Sequence, residues 1–305
     1  MQTILGANGV IARELARELR TYTDRIRLVS RSPHAIHDSD ETFAADLLDA
    51  SAANDAIRGS DVAFLVVGLQ YSTAIWREQW PRLMRNVIDA CKRNGTKLVF
   101  FDNVYAYGLV RGAMTEDTPY NPISRKGEVR ARIATMLQDE MQRGELQAMI
   151  VRSADFYGPG AVTSFTHAAV FERLRAGKTP QWIGNPRAIH TFTYTPDAGR
   201  ATAILAEKAE AYGQVWHLPT SSEPITGEKF VQLACAAAQR PYRLQVAPNI
   251  ILRLMGLFMP IIRENQEMMY QFEEDYRFDS SKVERVFGLK PTSYEEGIAA
   301  TLAGR

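Results

Sequence analysis

The first twelve residues constrain this chain more than any other stretch. Thr3-Ile4-Leu5 is an apolar run, Gly6-Ala7-Asn8-Gly9 interrupts it, and Val10-Ile11-Ala12 opens a helical pattern reaching residue 20. An apolar strand that turns through two glycines into a helix is the opening of a βαβ unit. Gly6 permits the tight turn, Gly9 lets backbone approach a pyrophosphate, and Ala12 lets helix pack closely on strand. The helix N-terminus then offers unpaired N–H groups and a favourable dipole to an anion. The spacing predicts a nucleotide cradle formed by Gly6, Asn8, Gly9, Val10 and Ile11.

The pattern that follows extends the same architecture. Apolar runs at 26–29, 62–67, 97–101 and 148–151 alternate with helical patterns at 51–58, 76–94 and 127–143, and a third short strand precedes Asp46. Such alternation predicts a parallel sheet covered on both faces. The fold class is therefore α/β, a Rossmann-type doubly wound sheet that binds ligands at the carboxyl ends of its strands. After Arg152 the pattern breaks at Gly158-Pro159-Gly160. Helices are predicted over 165–176, 196–211, 226–239, 250–257 and 293–303, with short strands at 191–194 and 215–218. This divides the chain into a nucleotide domain over 1–155, to which 187–212 returns, and a smaller mixed substrate region over 156–305. With no linker between them, the active site is expected where the two meet.

Composition removes other classes. Across 305 residues, 36 basic against 35 acidic side chains give a net charge of +1, which offers no global attraction to nucleic acid or an anionic membrane. Cys91 and Cys235 have neither metal-ligand spacing nor a disulfide framework, as in a cytoplasmic protein with reduced thiols. The apolar stretch 250–262 carries Arg253 and Pro260 and is shorter than the roughly 20 residues of a membrane span. No signal segment is expected at the start.

Around the cradle, further residues fit a dinucleotide. The second strand ends in Ser30-Arg31 where an acid would hold the ribose 2′-hydroxyl of NAD, so Arg31 favours the 2′-phosphate of NADP. Asp46 and Leu47 follow the third strand at the adenine position, and Val67-Gly68 ends the fourth beside the cofactor.

With these in place the chain resembles the extended branch of the short-chain dehydrogenase/reductase superfamily, which includes NAD-dependent epimerases and dehydratases. The resemblance rests on the glycine loop, Asp46, the run Asp102-Asn103-Val104-Tyr105-Ala106-Tyr107-Gly108, Lys126, and the segments 152–159 and 192–197. It implies Phe156 under the nicotinamide, Lys126 on its ribose, and Tyr157 and His190 toward the substrate. The departures are equally informative. Asn103 stands where the family carries a catalytic Ser or Thr. If Lys126 is the family's lysine, Pro122 occupies the place of its catalytic tyrosine. His190 replaces an arginine that relatives use on a nucleotide-sugar diphosphate, which argues against that substrate class.

Hydride exchange at a carbinol carbon needs a group to exchange the hydroxyl proton, and a tyrosine beside a cation suits it. Tyr105 is the first candidate, with Tyr107 and Tyr120 behind it; Lys126 supplies the cation and Asn103 can orient a carbonyl. Asp102 either caps or pairs with Lys126. His217 reads as a core residue. The Leu, Met and aromatic residues Leu254, Met255, Leu257, Phe258, Met259, Met268, Met269, Tyr270 and Phe272 are core or pocket lining. The leading expectation is an NADP-dependent oxidoreductase acting on a small carbonyl or alcohol, with NAD possible. An epimerase or dehydratase that retains its cofactor is the second expectation, and a non-catalytic NAD(P)-binding sensor or scaffold the third. No metal is expected. The resemblance also implies a homodimer through the helices at 76–94 and 127–143.

Overall fold

A computed structural model of the protein describes residues 1–247 and 259–304. The expected helix at 250–257, with Leu254, Met255, Leu257 and Phe258, lies outside the described residues.

The chain forms β1 (Gln2–Leu5), α1 (Val10–Leu19), β2 (Ile26–Ser30), β3 (Glu41–Ala44), α2 (Ala50–Ile57), β4 (Val62–Leu65), α3 (Thr73–Asn94), β5 (Lys97–Asp102), β6 (Ala113–Met114), α4 (Arg125–Gln142) and β7 (Ala148–Arg152). It continues with β8 (Asp155–Tyr157), α5 (Glu172–Arg175), β9 (Gln181–Ile183), β10 (Phe192–Tyr194), α6 (Thr195–Ala206), β11 (Val215–His217), α7 (Gly227–Ala237), β12 (Gln245–Ala247) and β13 (Arg277–Phe278). The last helix is Tyr294–Ala303, opened by a capping box between Ser293 and Glu296.

The central sheet has seven strands in the order β11-β7-β5-β4-β1-β2-β3. The pairs β2–β3, β1–β2, β1–β4, β4–β5 and β5–β7 are all parallel. This is the doubly wound arrangement expected from the alternating pattern. Strands β1, β4 and β7 are buried along their whole length, which is why their centres read as apolar runs. Helix α1 lays Ile11, Ala12, Leu15, Ala16 and Leu19 inward. Helix α6 approaches α1 closely: a Cβ on Gly199 would stand 2.6 Å from the Glu14 Cβ.

The chain divides into two compact units. The first holds Met1–Ala106, Lys126–Arg152 and Ala198–Trp216; the second holds Tyr107–Arg125, Ser153–Asp197 and His217–Arg305. The second unit is built from two-stranded parallel pairs: β8 with β10, β9 with β12, and β6 with β13. Its core gathers Tyr157, Val170, Phe171, Trp182, Phe192, Phe230, Tyr294 and Ile298. The helix expected over 165–176 begins as a wider π-type turn over His167–Phe171 before tightening into α5. No helix among the described residues is long and apolar enough to cross a membrane.

Candidate functional site

In the first unit, strand order reverses at β1: β2 and β3 lie on one side, β4, β5 and β7 on the other. The crevice outside the carboxyl ends of β1 and β4 is therefore the topological switch point, where such sheets bind ligands. The glycine loop occupies it. Gly6 has φ +105°, and a Cβ there would lie 2.7 Å from the Val67 Cα. Only glycine satisfies both the turn and the close approach. Gly6 and Ala7 donate their N–H groups to the Val29 carbonyl at 2.9 and 3.0 Å, which fixes the loop to β2. Gly9 is the N-cap of α1, with no side-chain cap and no acidic residue in the first turn. The first N–H groups of α1 thus face the crevice end without a carboxylate of their own. Asn8, its amide donating to the Ser32 carbonyl at 3.0 Å, and Gly9 are both exposed there. These features fit a dinucleotide pyrophosphate.

Along the neighbouring strand ends, the adenosine candidates fall in order. The Ser30 hydroxyl accepts from the Ser32 N–H at 3.2 Å and so shapes the turn that carries Arg31. Arg31 is exposed and makes no hydrogen bond or ion pair among the described residues. Asp46 is exposed, with Oδ1 accepting from the Leu48 N–H at 3.0 Å, while Leu47 beside it is buried. Val67 is half-buried and Gly68 exposed after β4.

At the end of β5 a charged cluster forms. Asp102 is buried and binds two guanidinium groups: Arg130 Nε donates to Oδ1 at 2.7 Å with Nη2 bonded alongside, and Arg152 Nη2 donates to Oδ2 at 2.8 Å. Burial raises the Asp102 carboxyl, but the two arginines outweigh it and hold the group below the usual carboxylate range. Asp102 therefore pairs with Arg130 and Arg152, rather than with Lys126. Arg130 also lies over the Trp80 and Phe100 rings at 4.7 and 5.1 Å. Its i, i+4 spacing from Lys126 was the available signal that the two share a face.

Lys126, in the first turn of α4, is fully buried. Its Nζ donates to the Thr73 hydroxyl at 3.0 Å and stands 4.6 Å from the centre of the Tyr71 ring. Neither partner stood out in the sequence. Tyr71 packs edge-on to Trp76 at 5.6 Å, and Trp76 stacks on Tyr105 at 6.2 Å with the planes 19° apart. Asn103 is half-buried and spends its side-chain oxygen on the Tyr105 N–H at 3.0 Å, so it holds the turn carrying Tyr105.

The second unit places the remaining candidates. Tyr107 is turned inward: its hydroxyl donates to His217 Nε2 at 2.7 Å, while His217 Nδ1 donates to the Asp279 carbonyl at 2.7 Å. The residue expected to share the side of Tyr105 is thus part of a buried network. Tyr120 is half-buried and leans on Tyr107 at 6.0 Å. Tyr157, expected toward substrate, is 1% exposed within the aromatic core, where burial pushes its phenol far up. His190 is also buried; its Nε2 donates to Asp155 at 2.9 Å and its ring stacks on Phe272 and Tyr276. Phe156 is half-buried, its carbonyl accepting from the Thr166 hydroxyl at 3.0 Å. Separately, a cleft of about 290 Å³ is lined by Leu109, Arg111, Asn185, Ala188 and the acidic run Glu273-Glu274-Asp275, among others.

Comparison with known proteins adds three findings. The model of the NAD dependent epimerase/dehydratase family matches residues 3–218. Among curated proteins the sequence finds no significant match. Among solved structures, the chain is similar to dTDP-glucose 4,6-dehydratase from Streptomyces venezuelae with NAD bound, at 16% identity and TM-score 0.81, over 100% of this chain and 96% of that one. It is similar to Thermus thermophilus UDP-glucose 4-epimerase in complex with NAD, at 17% identity and TM-score 0.81, over 100% and 98%. Bacillus cereus UDP-glucuronic acid 4-epimerase in complex with NAD matches at 16% identity and TM-score 0.80, over 100% and 96%. At these identities the likeness is one of fold.

Proposed function

The chain belongs to the NAD dependent epimerase/dehydratase family, a family of enzymes, and on that premise we propose that it is an NAD(P)-dependent oxidoreductase acting on a small carbonyl or alcohol. The observation that carries the cofactor is the glycine loop at the switch point, where Gly6 touches Val67 and α1 presents its uncapped N-terminus. Gly6, Asn8, Gly9, Val10 and Ile11 would hold the pyrophosphate. Arg31 and Ser30 would hold the adenosine ribose, and Asp46 and Leu47 the adenine. Bound nicotinamide supplies a hydride acceptor or donor. Lys126, enclosed by Thr73 and Tyr71, places a fixed positive charge near the same strand edge, where it favours an oxyanion or phenolate over its neutral form.

Two features support a substrate without a diphosphate. The His190 ring donates to Asp155 and is sandwiched by Phe272 and Tyr276, so it offers no free cation to a phosphate. The cleft lined by Glu273, Glu274 and Asp275 sets three acids against one arginine, Arg111.

Exposed Arg31 supports a preference for NADP, since a guanidinium without an internal partner can pair bidentately with a 2′-phosphate. Calorimetry with NADPH and NADH on the wild type and Arg31→Ala tests cofactor and preference together. We expect tighter NADPH binding, with Arg31→Ala losing at least about tenfold on NADPH and little on NADH. Binding of neither coenzyme to the wild type removes the reading. A second reading, an epimerase or dehydratase that returns the hydride to its own product, is favoured by the family match itself. It predicts substrate turnover with no net change in reduced coenzyme.

A further inference from the structure

Pro122 leaves the tyrosine position four residues before Lys126 without a group that can carry a proton. Lys126 is nonetheless buried and held in place by the Thr73 hydroxyl. A lysine with no exposed surface acts on a ligand only through what covers it. Tyr71 lies against it, with the ammonium nitrogen 4.6 Å from the ring centre, and Tyr71 itself is half-exposed. Its loop follows β4 and Gly68, at the carboxyl edge where the sheet binds ligands. The loop is rigidly set: the Gln70 carbonyl accepts from the Trp76 indole N–H at 3.0 Å and from the Ser72 N–H at 2.8 Å, and Trp76 packs edge-on to Tyr71. A second cation, the Arg130 guanidinium, lies 5.9 Å over that same Trp76. Tyr107 and Tyr157 are excluded from the role by burial, and the Tyr107 hydroxyl is already given to His217.

We propose that Tyr71 is the proton-transfer residue of this enzyme, held beside Lys126 in place of the tyrosine that Pro122 displaces. The proposal rests on the nicotinamide reading above. In the oxidising direction the substrate O–H bond breaks and its proton passes to the Tyr71 phenolate. A bound nicotinamide would accept as hydride the electron pair of the carbinol C–H bond as that bond breaks and the C=O bond forms. In the reducing direction each transfer reverses.

The test needs no substrate. Tyrosinate absorbance of the coenzyme-bound protein is followed against pH in the wild type, Tyr71→Phe, Tyr105→Phe and Lys126→Met. Tyr71→Phe keeps the ring that covers Lys126 and removes only the hydroxyl. We expect the wild type to show one tyrosinate step at least about one pH unit below the ordinary tyrosine value near 10. That step should vanish in Tyr71→Phe, survive in Tyr105→Phe and move upward in Lys126→Met. Persistence of the step in Tyr71→Phe, its loss in Tyr105→Phe instead, or no early step at all overturns the proposal. Calorimetry run alongside separates the premise: a wild type that binds no nicotinamide coenzyme removes the cofactor reading and this proposal with it. Normal binding with an unchanged step in Tyr71→Phe removes this proposal alone.

Discussion

Asp102 and its two arginines leave water together, and the cluster then carries one more positive than negative charge. Removing the carboxylate would take from two buried guanidinium groups the negative charge they share. Breaking a buried ion pair from one side costs about 3–5 kcal/mol, because the remaining charge has no compensation. Asp102→Asn is therefore expected to lower stability by about that amount in urea unfolding. A loss under about 1 kcal/mol would mean that water or other groups already screen the arginines. Gly6 makes a second residue-scale prediction. Alanine at φ +105° costs roughly 1–2 kcal/mol before the approach of its Cβ to Val67 is counted. Gly6→Ala should weaken nicotinamide coenzyme binding at least about tenfold by calorimetry, and unchanged affinity would place the coenzyme elsewhere. Gly6 and Ala12 were readable from sequence because the turn they make is local. Lys126 was readable as a residue but its partners were not. Thr73 lies 53 positions away, and only the packing of α3 against α4 brings them together.

Elements were legible where burial leaves a periodic trace. Strand β4 and most of β7 are apolar runs, and α1 shows its inward stripe of Ile11, Leu15 and Leu19. Helix α3 begins at Thr73 rather than 76, because the Ser72 carbonyl already accepts from the Trp76 N–H and so closes the first turn. The pairs β6–β13 and β9–β12 were not legible: segments of two or three residues are too short to display a period of two. Helices α3 and α4 are also tied by charge. Glu140 is 3% exposed and accepts from Arg85 and Lys92, each at 2.8 Å. The Lys92 hydrogen bond leads in holding its carboxyl down at about 2, against 4.5 for a free glutamate. A depressed folded value contributes stability that is complete above about 4.5 and disappears as pH falls toward 2. Glu140→Gln should thus cost about 1–2 kcal/mol at neutral pH, since both partners are part-exposed. The gap from wild type in thermal midpoint should close as pH falls below 4.5. A gap independent of pH would assign the loss to packing instead.

At the scale of the whole molecule, the two readings of the reaction make opposite demands on the coenzyme. An enzyme that returns the hydride to its own product never needs to exchange its nicotinamide, whereas a net oxidoreductase must release it at every turnover. The adenosine side of the cradle bears on this choice. Asn8, Gly9, Arg31, Asp46 and Gly68 are exposed, Ser30 and Val67 are half-buried, and Ile11 and Leu47 are buried. A ligand held mainly by exposed groups makes few desolvated contacts, and such contacts are what slow dissociation. The coenzyme is therefore expected to exchange readily. After desalting, fewer than about one chain in ten should retain nicotinamide, in keeping with a dissociation constant in the micromolar range. Added coenzyme at about a hundredfold excess over that constant should then stabilise the fold by about 2.7 kcal/mol. Both quantities come from one preparation: denaturation and assay of the released nucleotide, and a thermal melt with and without coenzyme. A stoichiometric nucleotide in the released fraction would reverse the order of the two readings, because only the retained-cofactor enzyme has a reason to hold it through purification.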